Sequence, residues 1–171
     1  AKANEILNAV ISGAIRDLPI PRRMRWGAGR DEFVRPVHWV VAMLGEQYEH
    51  GEVLGVQTGN KTYGHRFLST GPISLARPER YESALAEAKV IAGFEQRREA
   101  IRAQVKAQAA KLGATAEIDQ DLLDEVTALV EWPVALTGTF EERFLQVPQE
   151  ALISSMKEHQ KFFSVRNPAS G

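Results

Sequence analysis

Val37-His38-Trp39-Val40-Val41-Ala42-Met43-Leu44 is a short, nearly continuous apolar run that stops at Gly45. Its length and β-branched content favour a buried strand over a helix. Downstream, residues 53–58 and 61–67 read as two more strands, and the Gly59-Asn60 pair between them signals a hairpin. From Pro78 the period changes. Pro78 suits a first helical turn, and Tyr81, Leu85, Ala88 and Ile91 follow at helical spacing. Gly93 interrupts. Phe94, Ile101, Val105 and Leu112 then carry the stripe to Gly113, a good C-terminal stop. Asp119 is placed to cap a further helix running to Val130, which Glu131-Trp132-Pro133 ends. Residues 134–139 read as a strand. Pro148 opens a short helix with Leu152, Ile153 and Met156 turned inward, and residues 161–165 read as a last strand.

Upstream, residues 1–17 carry a helical pattern, with Ile6, Val10 and Ala14 on one face and Leu7, Ile11 and Ile15 beside it. Leu18-Pro19-Ile20-Pro21 breaks that helix. An arginine-rich connector follows over 22–35. These elements predict an α+β (mixed α/β) fold: one small mixed sheet with a β-hairpin, packed by a long helical pair and shorter helices. The expected organisation is an N-terminal helix and linker at 1–21, an α/β domain at 22–165 with a helical insertion at about 78–131, and a tail at 166–171. Ala1 lies inside a helical pattern and residues 167–171 are turn-like, so both ends are expected to be cuts through a longer protein.

The chain has 171 residues, 44% hydrophobic and 25% charged, with a formal net charge of −1. It can bury a core, and it is no polycation, so nothing global argues for nucleic acid. There is no cysteine, which removes disulfides, thiolate metal sites and a cysteine nucleophile. No stretch approaches the roughly 20 apolar residues that cross a bilayer, and no signal peptide is expected.

Site chemistry is sparse. Gly27-Ala28-Gly29 is half of a dinucleotide fingerprint, with no third glycine at the right spacing. His38, His50, His65 and His159 show no i, i+4 pair, and none precedes an aspartate. No Gly-x-Ser-x-Gly elbow occurs. Asp121, Asp124 and Glu125 fall in the first turns of a helix, where acids favour the dipole. Arg98, Arg102 and Lys106 run along one helix face beside Glu95 and Glu99, as a salt-bridged solvated face does. The one local anomaly is basic. Arg22, Arg23, Arg25, Arg30 and Arg35 crowd one connector with Trp26 and Phe33 interleaved and only Asp31 and Glu32 against them. Guanidinium forks bind phosphate and exposed aromatics stack on bases. The same arginines could instead staple a loop to carboxylates.

Several segments, in order, resemble one family: Met24-Arg25-Trp26-Gly27; Phe33-Val34-Arg35-Pro36-Val37-His38; Gly64-His65-Arg66-Phe67; Leu129-Val130-Glu131-Trp132-Pro133; Phe144-Leu145-Gln146-Val147-Pro148; and Met156-Lys157-Glu158-His159-Gln160-Lys161-Phe162-Phe163. Together they are similar to the N-terminal third of the β subunit of the bacterial heterotetrameric glycyl-tRNA synthetase, from about residue 18 to residue 165. Ser164 stands where that family usually has proline. The resemblance implies a parent glycine–tRNA ligase, a cytoplasmic assembly of two α and two β subunits that uses ATP and Mg²⁺. The class II active site is then on the α subunit, and the β subunit supplies binding of tRNA-Gly. A domain resembling His-Asp phosphohydrolases is expected beyond Gly171. This segment would resemble the editing-type domain of the phenylalanyl-tRNA synthetase β chain.

Two functions follow from that resemblance. One is a non-catalytic tRNA-docking or scaffolding module, with no cofactor of its own and no ATP or glycine bound, using Arg22, Arg23, Arg25, Trp26, Arg30 and Arg35. The other is an editing hydrolase with His65 and Arg66 at a pocket rim. Glycine is the smallest amino acid, so sterics alone can reject alanine and serine, and the need for editing is weak. Beside both, Trp26, Trp39, Trp132, Phe144 and Phe163 read as core and interface anchors.

Overall fold

The computed structural model describes residues 3–48 and 50–167. The chain forms two compact units, residues 1–89 and 90–171. The division falls inside the segment read as a helical insertion. The end of the expected tail, 168–171, lies outside the described residues.

The first unit begins with α1 (Ala3–Asp17). Leu7, Ile11 and Ile15, spaced i, i+4, i+8, form its half-buried stripe, while Ile6 and Val10 are exposed. Asn8 shares the inward side. A Cβ on Gly51 would fall 1.9 Å from the Asn8 amide nitrogen, so a larger residue there would displace the Asn8 side chain. Seven short strands follow: β1 (Met24–Arg25), β2 (Glu32–Phe33), β3 (Val40–Val41), β4 (Met43–Leu44), β5 (Gln47–Tyr48), β6 (Glu52–Val53) and β7 (Val56–Gly59). β8 (Lys61–Tyr63), β9 (Pro72–Ser74), a 3₁₀ turn at Pro78–Arg80 and α2 (Tyr81–Glu87) complete the unit.

The mixed α+β class is as expected, but the strands group differently. A three-stranded sheet of order β3-β7-β6 stands with two-stranded antiparallel ladders β1-β2, β4-β5 and β8-β9. β3 pairs with β7 in parallel, Val40 opposite Thr58. The apolar run at 37–44 is therefore two strands, β3 and β4, with the buried Ala42 between them. The hairpin is not at Gly59-Asn60. It turns at Leu54-Gly55, with Val53 opposite Val56. Both turn residues have positive φ, 52° and 71°, as a primed two-residue turn requires. Asn60 instead joins β8 to β9: its backbone carbonyl accepts from Leu75 N–H at 2.9 Å, and its amide donates to the Leu75 carbonyl at 2.9 Å. The strand expected through residue 67 ends at Tyr63, because the chain turns at His65. Ala42, Val53, Leu75, Leu85, Thr58 and Thr62 are the buried centre of this unit.

The second unit is built on α3 (Phe94–Lys111) and α4 (Gln120–Leu129), joined through β10 (Thr115–Ala116). After a 3₁₀ turn at Glu142–Gln146 come α5 (Gln149–Gln160) and β11 (Val165–Arg166), which pairs antiparallel with β10. Ile101 and Ala109 of α3 and Leu122, Leu123 and Thr127 of α4 are its buried residues on those helices. The last strand begins at Val165 rather than 161, because Lys161 takes a left-handed conformation (φ 57°) at the end of α5. Residues 134–139 form no strand. Their backbone is met by side chains: Gln104 accepts from Ala135 N–H at 2.9 Å and donates to the Pro133 carbonyl at 3.1 Å, and Gln108 donates to the Ala135 carbonyl at 2.9 Å. Two glutamines one turn apart on α3 thus stand in for a neighbouring strand. Arg98 pairs with Glu95 and Asp124, and Arg102 with Glu99, so the basic line on α3 is the ion-paired face its spacing predicts.

Candidate nucleic-acid interface

The arginine connector folds into the β1-β2 hairpin and its approach, and the structure gives its arginines different tasks. Arg23 is half-buried. Its guanidinium donates to the carbonyls of Arg16 at 2.7 Å, Leu18 at 3.2 Å and Ile15 at 3.5 Å. It therefore caps the C-terminal end of α1, whose last carbonyls have no helical partner. Arg25 pairs with its cross-strand neighbour Glu32 at 3.4 Å. Arg22, Arg30 and Arg35 are exposed and form no hydrogen bond or ion pair with a described residue. Arg30 also lines an open cleft of about 450 Å³, shared with Arg16, Arg23, Asp31, Glu32 and Glu52. Trp26 and Phe33 are half-buried in the hairpin.

His65 and Arg66 lie in the turn after β8. The His65 ring accepts at Nδ1 from Phe67 N–H (3.2 Å) and Leu68 N–H (3.3 Å), and the His65 backbone N–H donates to the Ala88 carbonyl (2.9 Å). With Nδ1 accepting, the neutral ring carries its hydrogen on Nε2. Arg66 is exposed, and Phe67 is 85% exposed. Gly64 has Ala88 packed against it so closely that an added Cβ would lie 2.4 Å from the Ala88 Cβ. The Gly64-His65 pair thus secures a turn against the end of α2.

Met156–Phe163 of the shared segments also has a structural task. Lys157 reaches Asp119 at 2.6 Å, and Lys161 reaches Glu125 at 2.8 Å, so one lysine holds the N-cap of α4 and the other its middle. Asp119 caps α4 as its position predicts, accepting from Leu122 N–H at 2.9 Å. The Lys157 ammonium, and after it that N–H, hold the Asp119 carboxyl below its ordinary range; Asp119 in turn raises Lys157. A depressed carboxyl stabilises the fold above its unfolded value of about 4, and the benefit is lost as pH falls through the lower folded value. The raised Lys157 stabilises below its unfolded value and loses that benefit as pH climbs through the folded one. Asp119→Asn keeps a capping oxygen and removes the charge. Its urea midpoint should lie below that of the parent chain at pH 7, and the gap should narrow by pH 3. A gap independent of pH would show that the ion pair contributes nothing.

One aromatic cluster in the first unit was not apparent from the sequence motifs. Trp39, read as a packing anchor, is 42% exposed, and its ring lies 4.7 Å from that of Tyr63, itself 41% exposed. The His38 ring lies 6.4 Å from that of Trp39 and is tilted 30° from parallel to it. The alternation of β8 carried a signal: Lys61 and Tyr63 face outward while Thr62 between them is buried. Among the described residues no three of His, Asp and Glu gather as metal ligands, and no helix is long and apolar enough to cross a membrane.

Comparison with known proteins agrees with the ordered segments. A family model described as "Glycyl-tRNA synthetase beta subunit" matches residues 1–171. The chain is 54% identical over 158 residues to the glycine–tRNA ligase beta subunit of Chromohalobacter salexigens, covering 92% of this chain and 23% of that protein. It is 51% identical over 166 residues to that of Hahella chejuensis (96% and 24%), and 50% identical over 159 residues to that of Neisseria meningitidis serogroup B (92% and 23%). The chain thus spans about a quarter of the length of these relatives. An unbroken match from the first residue to the last, at about half identity to relatives of one description, places this chain in the glycyl-tRNA synthetase β subunit family.

Proposed function

We propose that this chain is a non-catalytic module of a glycine–tRNA ligase β subunit, serving glycyl-tRNA formation by docking tRNA-Gly or by scaffolding the parent enzyme. In this reading the parent is a cytoplasmic ATP-dependent ligase of two α and two β subunits, and ATP and Mg²⁺ belong to the α subunit. In support of that placement, Gly27-Ala28-Gly29 lies in the turn of a two-stranded hairpin rather than between a strand and a helix, the setting a phosphate loop needs. The observation that carries the docking role is the trio Arg22, Arg30 and Arg35. Exposed guanidinium groups without internal partners are free to pair with phosphate. Arg23 and Arg25 contribute by holding the connector that presents them.

The test is a salt series on the full-length β subunit assembled with its partner subunit. Replacing Arg22, Arg30 and Arg35 by alanine should weaken tRNA affinity. It should also flatten the plot of log affinity against log salt by roughly 0.9 for each phosphate that is no longer neutralised. If both affinity and slope stay as they were, the RNA half of the reading falls and scaffolding remains.

A further inference from the structure

Residues 64–71 link β8 to β9, and the inner members of that loop are held from several sides. His65 N–H donates to the Ala88 carbonyl, and Ser69 N–H donates to the His65 carbonyl at 3.0 Å. His65 Nδ1 accepts from the N–H groups of Phe67 and Leu68. An imidazole nitrogen that accepts from the second and third following amides takes the place that an Asn or Asp oxygen has in an Asx turn. These bonds fix the backbone of Arg66, Phe67 and Leu68, three consecutive exposed residues. The Phe67 ring stands 6.2 Å from that of His65. Arg66 forms no hydrogen bond or ion pair with a described residue.

The surroundings of Arg66 are poor in carboxylates. No Asp or Glu occurs between Glu52 and Glu79, whereas Lys61, Arg66 and Arg77 are cations in that stretch. Arg77 is neutralised by Glu46. At the end of α2, against which the turn is held, Ala88 is flanked by Glu87, engaged with Arg80 at 3.6 Å, and by Lys89, another cation. The fold thus holds a guanidinium outward next to an exposed aromatic residue, with no acid in its own loop to meet it. A guanidinium fork pairs with phosphate, and the ring offers a stacking face. We propose that Arg66 contacts a phosphate of the bound RNA and that His65 is its positioning residue. The inference rests on the reading that the module meets RNA, and it adds a contact on a different hairpin from the arginine connector. It also gives His65 a duty in binding rather than in hydrolysis. With Nδ1 engaged and a hydrogen on Nε2, the neutral ring has no lone pair left to take a substrate proton.

The test again uses the full-length β subunit with its partner subunit, and tRNA-Gly as the probe across a salt series. Arg66→Ala, at an exposed turn position, should weaken affinity severalfold and lower the salt slope by roughly 0.7–0.9, the share of one phosphate. His65→Ala should also weaken affinity, and amide exchange at Phe67 and Leu68 should quicken. His65→Asn has a side-chain oxygen that can accept from the same two amides, so it should restore both affinity and protection. Unchanged affinity and slope in Arg66→Ala would overturn the contact while leaving the surface of Arg22, Arg30 and Arg35 standing. Equal loss of binding in both His65 variants, with amide protection restored in His65→Asn, would overturn the positioning role. Weaker subunit assembly in Arg66→Ala, with tRNA affinity unaltered, would also overturn the proposal and assign the turn to a protein contact. Absence of tRNA binding by the unsubstituted assembly would remove this inference and the docking reading together.

Discussion

Gly64→Ala is expected to cost about 3 kcal/mol of stability or more, which approaches the whole margin of many small domains. The added Cβ would sit 2.4 Å from the Ala88 Cβ and 2.6 Å from the Ala88 carbonyl oxygen. Ser69 Oγ, 2.8 Å away, can rotate aside, but the Ala88 carbonyl oxygen and the Cβ fixed directly to the backbone at the end of α2 cannot. Moving them also breaks the bond from His65 N–H to the Ala88 carbonyl. Gly71→Ala is the matched control. Nothing lies within 4 Å of that Cβ, and its φ of 74° alone should cost about 1 kcal/mol. Urea midpoints of the two variants separate crowding from backbone strain. Similar small losses in both would mean that the Gly64–Ala88 approach yields easily.

Leu123→Ala should produce a comparable loss in the second unit, about 2–5 kcal/mol. Leu123 is fully buried on α4, and Thr127 one turn later is equally buried with its hydroxyl returned to the Leu123 carbonyl at 2.7 Å. Leu122, Leu123 and Thr127 are all buried, so the close-packed surroundings have little freedom to close over the cavity. Leu129→Ala, on the same helix but 64% exposed, should change stability by less than about 0.5 kcal/mol. Thermal or urea unfolding distinguishes them, and equal effects would contradict the placement of Leu123 in the core.

The helices were legible because each announces itself locally. The period of Leu7, Ile11 and Ile15, the capping Asp119 and the opening Pro148 each act within a few residues. Strand pairing was less so. Gly59-Asn60 has the composition of a hairpin turn, yet Asn60 is engaged with Leu75, fifteen residues away. The true turn contains Leu54 at positive φ, a residue that no turn preference would nominate. The parallel pairing of β3 with β7 and the capture of Ala135 by glutamines are likewise set by distant chain. In the candidate interface, the crowding of arginines was visible, but their division was not. Arg23 is a helix cap only because the chain turns back after Pro21. Trp39 reads as a packing residue from its apolar neighbours, and only the register of β3 beside β7 and β8 leaves its ring outside.

The glutamine clasp on residues 133–135 has a kinetic consequence. A backbone N–H in a ladder becomes available to solvent only when two strands part. Ala135 N–H is released when one side chain, Gln104, changes rotamer, with no parting of strands. Amide hydrogen exchange at Ala135 is therefore decoupled from unfolding of α3 and α4. The segment is ordered like a strand at equilibrium and opens like a side chain.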